Sequence, residues 1–250
     1  MSASDSKAEV LTIAEAGESV RKTSSVFQQY VQPCLAELFG TSLFVFVGCS
    51  SVIGSDAVTP PALAHGLALV VLITVFGPVS GGHFNPAVSL SVCLCGGLKP
   101  ALLGLYVVAQ MLGGMVGAGM TKVLFSEMLY SAAHGAAFST EGDKLGPATM
   151  AEMILTMFLC TVVCMAAVNK STRSSLAPLC IGLTVTTGIF AGARLSGGCM
   201  NPARAFGPAV AAKYWAHHWV YWAGPVCGSL LSAGLIRLLF GDQKTRIVLR

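Results

Sequence analysis

The residues Ser80-Gly81-Gly82-His83-Phe84-Asn85-Pro86-Ala87 return further along the chain as Ser196-Gly197-Gly198-Cys199-Met200-Asn201-Pro202-Ala203. In each copy the two glycines let the backbone turn, the Asn is a strong N-cap, and the Pro suits a first helical position. Each copy therefore starts a helix. Only about ten largely apolar residues follow each start, half of what a bilayer crossing needs, so the spacing predicts half-helices over 85–95 and 201–212. The charges around them are sparse and unequal. Arg204 follows the second Asn-Pro-Ala where Val88 follows the first, and Glu37 and Glu152 each lie inside an apolar run. An ionisable group at such a depth costs roughly 2.5–3.5 kcal/mol on insertion scales and marks a functional position, so both carboxylates need buried donors.

The composition sets the surroundings. Of 250 residues, 54% are hydrophobic and only 10% are charged, against roughly 25% charged in a soluble domain. Apolar runs at Leu35–Ile53, Ala62–Val79, Ala101–Leu124, Ala148–Val168, Ala177–Ala193 and Trp219–Phe240 read as six membrane spans. The first 32 residues, mixing Asp5, Glu9, Glu15 and Glu18 with Lys7, Arg21 and Lys22, read as a polar tail with neither a signal-peptide core nor a transit-peptide composition. Nine cysteines are scattered without zinc or redox spacing, and Cys160 and Cys164, four apart on one helix, read as packing. A net charge of +4 needs no nucleic-acid partner, because the bases collect at span ends. No metal set, cofactor motif or activated nucleophile appears, so an enzyme is not expected.

The two halves match beyond the opening motif. Ala36-Glu37 answers to Ala151-Glu152, and Tyr106, Ala109 and Gly113 answer to Tyr221, Gly224 and Gly228, each about 115 residues on. A duplication with three spans per half, an odd number, is inverted, so the half-helices enter from opposite faces and their N-termini can meet near the midplane. Such re-entrant backbone is tolerated only where it is buried in protein or lines a water-filled cavity. The organisation is then a tail over 1–32, a first repeat over 33–125, an external connection over 126–146, a second repeat over 147–240 and a tail over 241–250. Basic residues before span one, between spans four and five (Lys170, Arg173) and after span six place both termini in the cytosol. The sequon at Asn169 should accordingly stay unmodified. Gly113-x-x-x-Gly117 and Gly224-x-x-x-Gly228 read as packing faces, and the 126–146 connection reads as surface loop.

Two Asn-Pro-Ala boxes in inverted three-span repeats resemble the aquaporin (major intrinsic protein) family over about residues 33–240. The resemblance implies an all-α right-handed bundle of six transmembrane helices plus two re-entrant half-helices, with one pore per subunit of a homotetramer. It implies that Asn85 and Asn201 point amides into the pore. A water there would turn its oxygen toward them and toward two positive half-helix ends, which breaks a proton wire and repels cations. The resemblance also implies that Glu37 and Glu152 brace the re-entrant loops and that Arg204 forms a filter with His65, Ile189 and Gly198. That quartet resembles the aquaporin-8 group and its plant tonoplast relatives. His65 read alone could be a structural histidine, and His83 could line the pore or bond loop backbone. Cys199 is expected near the channel wall as a mercury-sensitive site, and Tyr221 is a pore-lining candidate. Ala205, where glycerol channels carry Asp, disfavours glycerol. The expected activity is passive permeation of water, ammonia and hydrogen peroxide across a lipid bilayer, with the plasma membrane favoured and the inner mitochondrial membrane open. An ion-coupled secondary transporter and a junctional membrane protein remain alternatives.

Overall fold

Proline sets the register of most helices. In the computed structural model, which describes residues 25–242 and Arg246, Pro occupies one of the first two positions of six helices. A residue whose N–H would be unpaired there loses nothing by lacking one. The helices are α1 (Gln32–Ile53), α2 (Thr59–Ser80), α3 (Pro86–Leu94), α4 (Pro100–Leu124), α5 (Glu127–Ala132), α6 (Leu145–Val163), α7 (Ala177–Gly192), α8 (Pro202–Ala212) and α9 (Val220–Leu235). No strand occurs among the described residues. The chain is helical already over Phe27–Val31, a π-turn leading into α1, so the tail expected up to residue 32 ends earlier. The rest of that tail, and the C-terminal one from residue 243 apart from Arg246, lies outside the described residues.

The helices are apolar on the outside. Leu63, Leu67, Val71, Val75 and Val79 make an exposed stripe along α2, while α1 buries Glu37, Gly40, Thr41 and Gly48 and exposes Leu35 and Phe39. Large apolar residues outward and small or polar ones inward is the pattern of a multi-pass membrane protein, where close backbone approach rather than water exclusion drives packing. Gly113 and Gly117 bring α4 against the backbone of Leu38 and Ser42 on α1, and Gly224 and Gly228 bring α9 against Thr149 and Met153 on α6. A side chain at any of the four would collide with that backbone. Among the described residues, five helices, counting their flanking turns, are long and apolar enough to cross a membrane. The fifth expected span is shorter: α7 has 16 residues, about 24 Å at 1.5 Å per residue. It stops because Gly192 O accepts the N–H groups of Leu195, Ser196 and Gly197, which turns the chain into the second re-entrant segment.

The two halves pack alike. α1 lies on α4 as α6 lies on α9, α2 meets α7 across the middle, and each half-helix, α3 or α8, packs on the third long helix of the other half, α9 or α4. Cations close the outer ends of both half-helices. Arg237 Nη1 donates to Leu94 O at 2.9 Å and Lys122 Nζ donates to Ala211 O at 3.0 Å. With their negative ends so partnered, the half-helices leave their positive ends facing the centre.

Candidate functional site

The centre is built twice from one local design. Gly81 and Gly82 (φ +93° and +65°) and Gly197 and Gly198 (φ +94° and +66°) take the left-handed region, and so do the bulky residues next in the turn, Phe84 (φ +48°) and Met200 (φ +55°). Non-glycine residues persist there only where the surroundings hold them. The holding groups are the buried carboxylates. Glu37 accepts Ser80 Oγ at 2.6 Å, His83 N at 2.9 Å, Phe84 N at 2.6 Å and Gln110 Nε2 at 2.8 Å. Glu152 accepts Ser196 Oγ at 2.7 Å, Cys199 N at 2.8 Å and Met200 N at 2.6 Å. Neither carboxylate is exposed. Tyr106 and Tyr221 complete the brace by donating to Ser80 O (2.7 Å) and Ser196 O (2.9 Å). Tyr221 is therefore fully buried behind the loop and is not among the cavity-lining residues. The sequence expectation that it lines a pore is corrected, because its hydroxyl is spent on loop backbone.

The braced loops deliver the two asparagines. Asn85 Oδ1 accepts Ala87 N at 2.9 Å and Val88 N at 3.5 Å, capping α3, and Asn201 Oδ1 accepts Ala203 N at 3.0 Å and Arg204 N at 3.3 Å, capping α8. Capping fixes the amide nitrogens outward. Asn85 Nδ2 donates to Met200 O at 2.8 Å and Asn201 Nδ2 donates to Phe84 O at 2.9 Å, so the half-helices are tied tip to tip. An amide carries two N–H groups. The second of each is left for whatever occupies the adjoining space, which both asparagines line.

That space is a cavity of about 1050 Å³ running from Pro61 and Phe138 at one end to Lys170, Arg173 and Asp242 at the other. His65, Ile189, Gly198 and Arg204 all line it, as do His83 and Cys199. Arg204 is nearly buried: its Nε donates to His65 Nε2 at 3.0 Å and its Nη1 to Ala136 O at 3.1 Å, with the Phe138 ring 4.7 Å away. The network fixes the histidine tautomer. His65 Nδ1 lies 2.7 Å from Pro61 O, which can only accept, so Nδ1 carries the proton and Nε2 is the lone-pair site facing Arg204. His83 lines the cavity, and its Nδ1 lies 3.1 Å from Ser89 Oγ on the half-helix α3, so it bonds a half-helix side chain rather than loop backbone. Cys199 Sγ donates to Asn201 O at 3.2 Å. Beyond the asparagines the wall is apolar, with Val88, Val92, Leu159, Val163, Ile181 and Val185.

Two participants escaped the sequence. Ala136 and Phe138 lie in the connection read as surface loop, yet one gives a carbonyl to Arg204 and the other covers its guanidinium and lines the cavity. His134, Gly135 and Ala136 all take positive φ there, a tight turn of which Gly135 is the one glycine.

Paired, crossing half-helices between two inverted three-helix repeats define the aquaporin fold. A solved structure titled as the aquaglyceroporin from Plasmodium falciparum superposes with a TM-score of 0.74 at 23% identity, covering 82% of this chain and 95% of that one. The family model described as "Major intrinsic protein" matches residues 23–236, and the chain belongs to that family. It is 52% identical to aquaporin-8 of Mus musculus over 229 residues, which is 90% of this chain and 88% of the mouse protein. Aquaporin-8 of Rattus norvegicus is also 52% identical, over 231 residues, with the same coverage. The probable aquaporin TIP2-1 of Oryza sativa is 37% identical over 250 residues, covering 93% of each.

Proposed function

We propose that this protein is a passive channel for water and small neutral solutes, ammonia and hydrogen peroxide among them, and that it refuses protons and ions. The observation that carries the reading is one cavity passing His65, Arg204 and both capped asparagines on its way between two polar mouths. A solute entering beside Arg204 meets a guanidinium that keeps donors to spare and a histidine whose ring is neutral. Farther in, the free N–H of Asn85 and of Asn201 accepts no proton, so a water there can only present its oxygen to them. Its hydrogens then point away along both limbs, which breaks any relay. Hydronium and metal ions are repelled by Arg204 and by the two positive half-helix ends.

Ile189 and Gly198 put an aliphatic side chain and none at all opposite the polar pair, which suits ammonia and peroxide as well as water. The mouse and rat relatives named aquaporin-8 support this reading. The protein works as a homotetramer in the plasma membrane, with both termini and the Lys170–Arg173 mouth on the cytosolic side. Asn169, whose side chain is buried and donates to Phe240 O at 3.2 Å, is no glycan acceptor there. The test is solute flux in proteoliposomes. Ammonia uptake should rise with pH as its neutral fraction rises, and Ile189→His should lower ammonia and peroxide flux more than water flux. Equal losses for all three solutes, or ammonia flux no greater than in empty liposomes, would remove the claim about solutes beyond water.

A further inference from the structure

The first half of the channel holds a polar chain that the second half lacks. Behind His83 lie Ser89 on α3 and Gln110 on α4, both fully buried and neither on the cavity wall. At the matching positions of the second half stand Ala205 and Pro225, and Cys199 takes the place of His83. The duplication therefore does not account for the chain. Its hydrogens follow from the inventory of donors and acceptors. The Glu37 carboxylate only accepts, so the Gln110 atom 2.8 Å from it is the NH₂, and the other hydrogen of that NH₂ goes to Ser89 Oγ, also at 2.8 Å. Ser89 Oγ keeps one hydrogen, and its remaining partner among the described residues is His83 Nδ1 at 3.1 Å. Were Nδ1 protonated, that serine hydrogen would be buried without an acceptor and would cost its full desolvation. Ser89 therefore donates, Nδ1 holds the lone pair, and the imidazole proton sits on Nε2.

We infer that Ser89 and Gln110 are positioning residues that lock His83 as the Nε2–H tautomer, giving the channel a third fixed donor, after Asn85 and Asn201, that favours solutes with a lone pair. The selectivity rests on the proposed function, which it specifies; the tautomer does not. The place of the donor follows from the fold. α2 starts beside Pro61 at one mouth and runs 22 residues, so the loop at its end lies between the asparagines and the Lys170–Arg173 mouth. His83 Nε2 has no partner among the described residues, and a Cβ added to Gly81 would meet it at 2.9 Å. The glycine keeps that edge of the ring clear beside the cavity, which both residues line. Tyr106, edge-on with ring centroids 5.4 Å apart, packs against the same imidazole. The two cavity histidines thus take opposite tautomers. His65 turns a lone pair to Arg204, and His83 turns an N–H to the solute. Water takes that N–H on its oxygen, which keeps its hydrogens pointed toward the mouth in the sense that the asparagines impose. Ammonia is a stronger acceptor and a weaker donor than water, so it gains more from the contact. Ammonium has no lone pair and gains nothing from the ring.

The tautomer can be read without any flux measurement. Full-length protein carrying nitrogen-15 in its histidine rings is placed in lipid bilayers near neutral pH. Magic-angle-spinning NMR then separates lone-pair from protonated ring nitrogens, with His83 identified by the signals lost in His83→Gln. The expected spectrum shows His83 with a bare Nδ1 and a protonated Nε2, and His65 with the reverse. A His83 protonated on Nδ1, alone or together with Nε2, would overturn the proposal, and that reading is taken on the unaltered chain. Ser89→Ala, which installs the residue type that the second half carries at this position, should lower the ratio of Nε2–H to Nδ1–H about tenfold. In proteoliposomes the same substitution should lower ammonia flux about threefold more than water flux. An unchanged tautomer ratio, or equal changes in the two fluxes, would also sink it. A locked ring in a parent that carries no more ammonia than empty liposomes would count against the proposed ammonia permeation and uphold the lock.

Discussion

Replacing Glu152 by Gln tests whether the carboxylate holds the second re-entrant loop. One oxygen of Glu152 takes Ser196 Oγ and Cys199 N, and the other takes Met200 N. An amide has one acceptor oxygen. If it keeps the first two donors, its NH₂ faces Met200 N–H, leaving a buried donor unpaired at a cost of about 1–3 kcal/mol. The two bonds retained lose their charge assistance, about 1 kcal/mol each. Part of this is offset because the variant no longer buries a charge, so the net loss is about 3 kcal/mol, a fall of about 6–12 °C in the unfolding midpoint of a chain this size. Glu37→Gln should cost about 1 kcal/mol less. The Oε1 of Gln110 has no partner, and that side chain can turn its amide to accept from the new NH₂. Thermal unfolding of both variants in detergent, with amide exchange read at Cys199 and Met200, decides the matter. An unchanged midpoint and unchanged exchange in Glu152→Gln, or a larger loss in Glu37→Gln, would refute the bracing argument.

Two further outcomes follow from the same geometry. A monovalent cation about 6 Å from the Arg204 guanidinium is repelled by about 3 kcal/mol at an effective dielectric of 20, so Arg204→Val should raise proton or small-cation leak about a hundredfold, read with an entrapped pH dye. An unchanged leak would put the whole barrier at Asn85 and Asn201. Mercurials should block permeation, and Cys199→Ser should conduct while losing most of that block, with the remainder removed by adding Cys95→Ser, the second thiol on the wall. Inhibition of Cys199→Ser as strong as that of the parent would assign the block to another cysteine.

The boxes, the duplication and the buried carboxylates were legible because each depends on local chemistry: Asn and Pro at a helix start, glycines before them, an acid in an apolar run. That Glu37 and Glu152 need donors followed from the cost of a buried charge, while the re-entrant loops as their source came only with the family resemblance. Less legible were contacts made by residues distant in sequence with no periodic or compositional signal. Ala136 acts through its backbone oxygen, which any residue supplies, and Phe138 acts by where its loop lands. Tyr221 misled because its match to Tyr106 identified a repeated position without saying which way the ring faces. The pairing of Lys122 and Arg237 with the half-helix ends was visible only as bases near span ends.

The central claim, a continuous water-filled path that needs no energy input, is tested most directly by stopped-flow light scattering on proteoliposomes under an osmotic step. The account predicts water permeability well above that of empty liposomes, with a low activation energy and no dependence on sodium or proton gradients. Permeability equal to that of empty liposomes, or flux that appears only when an ion gradient is imposed, would contradict it.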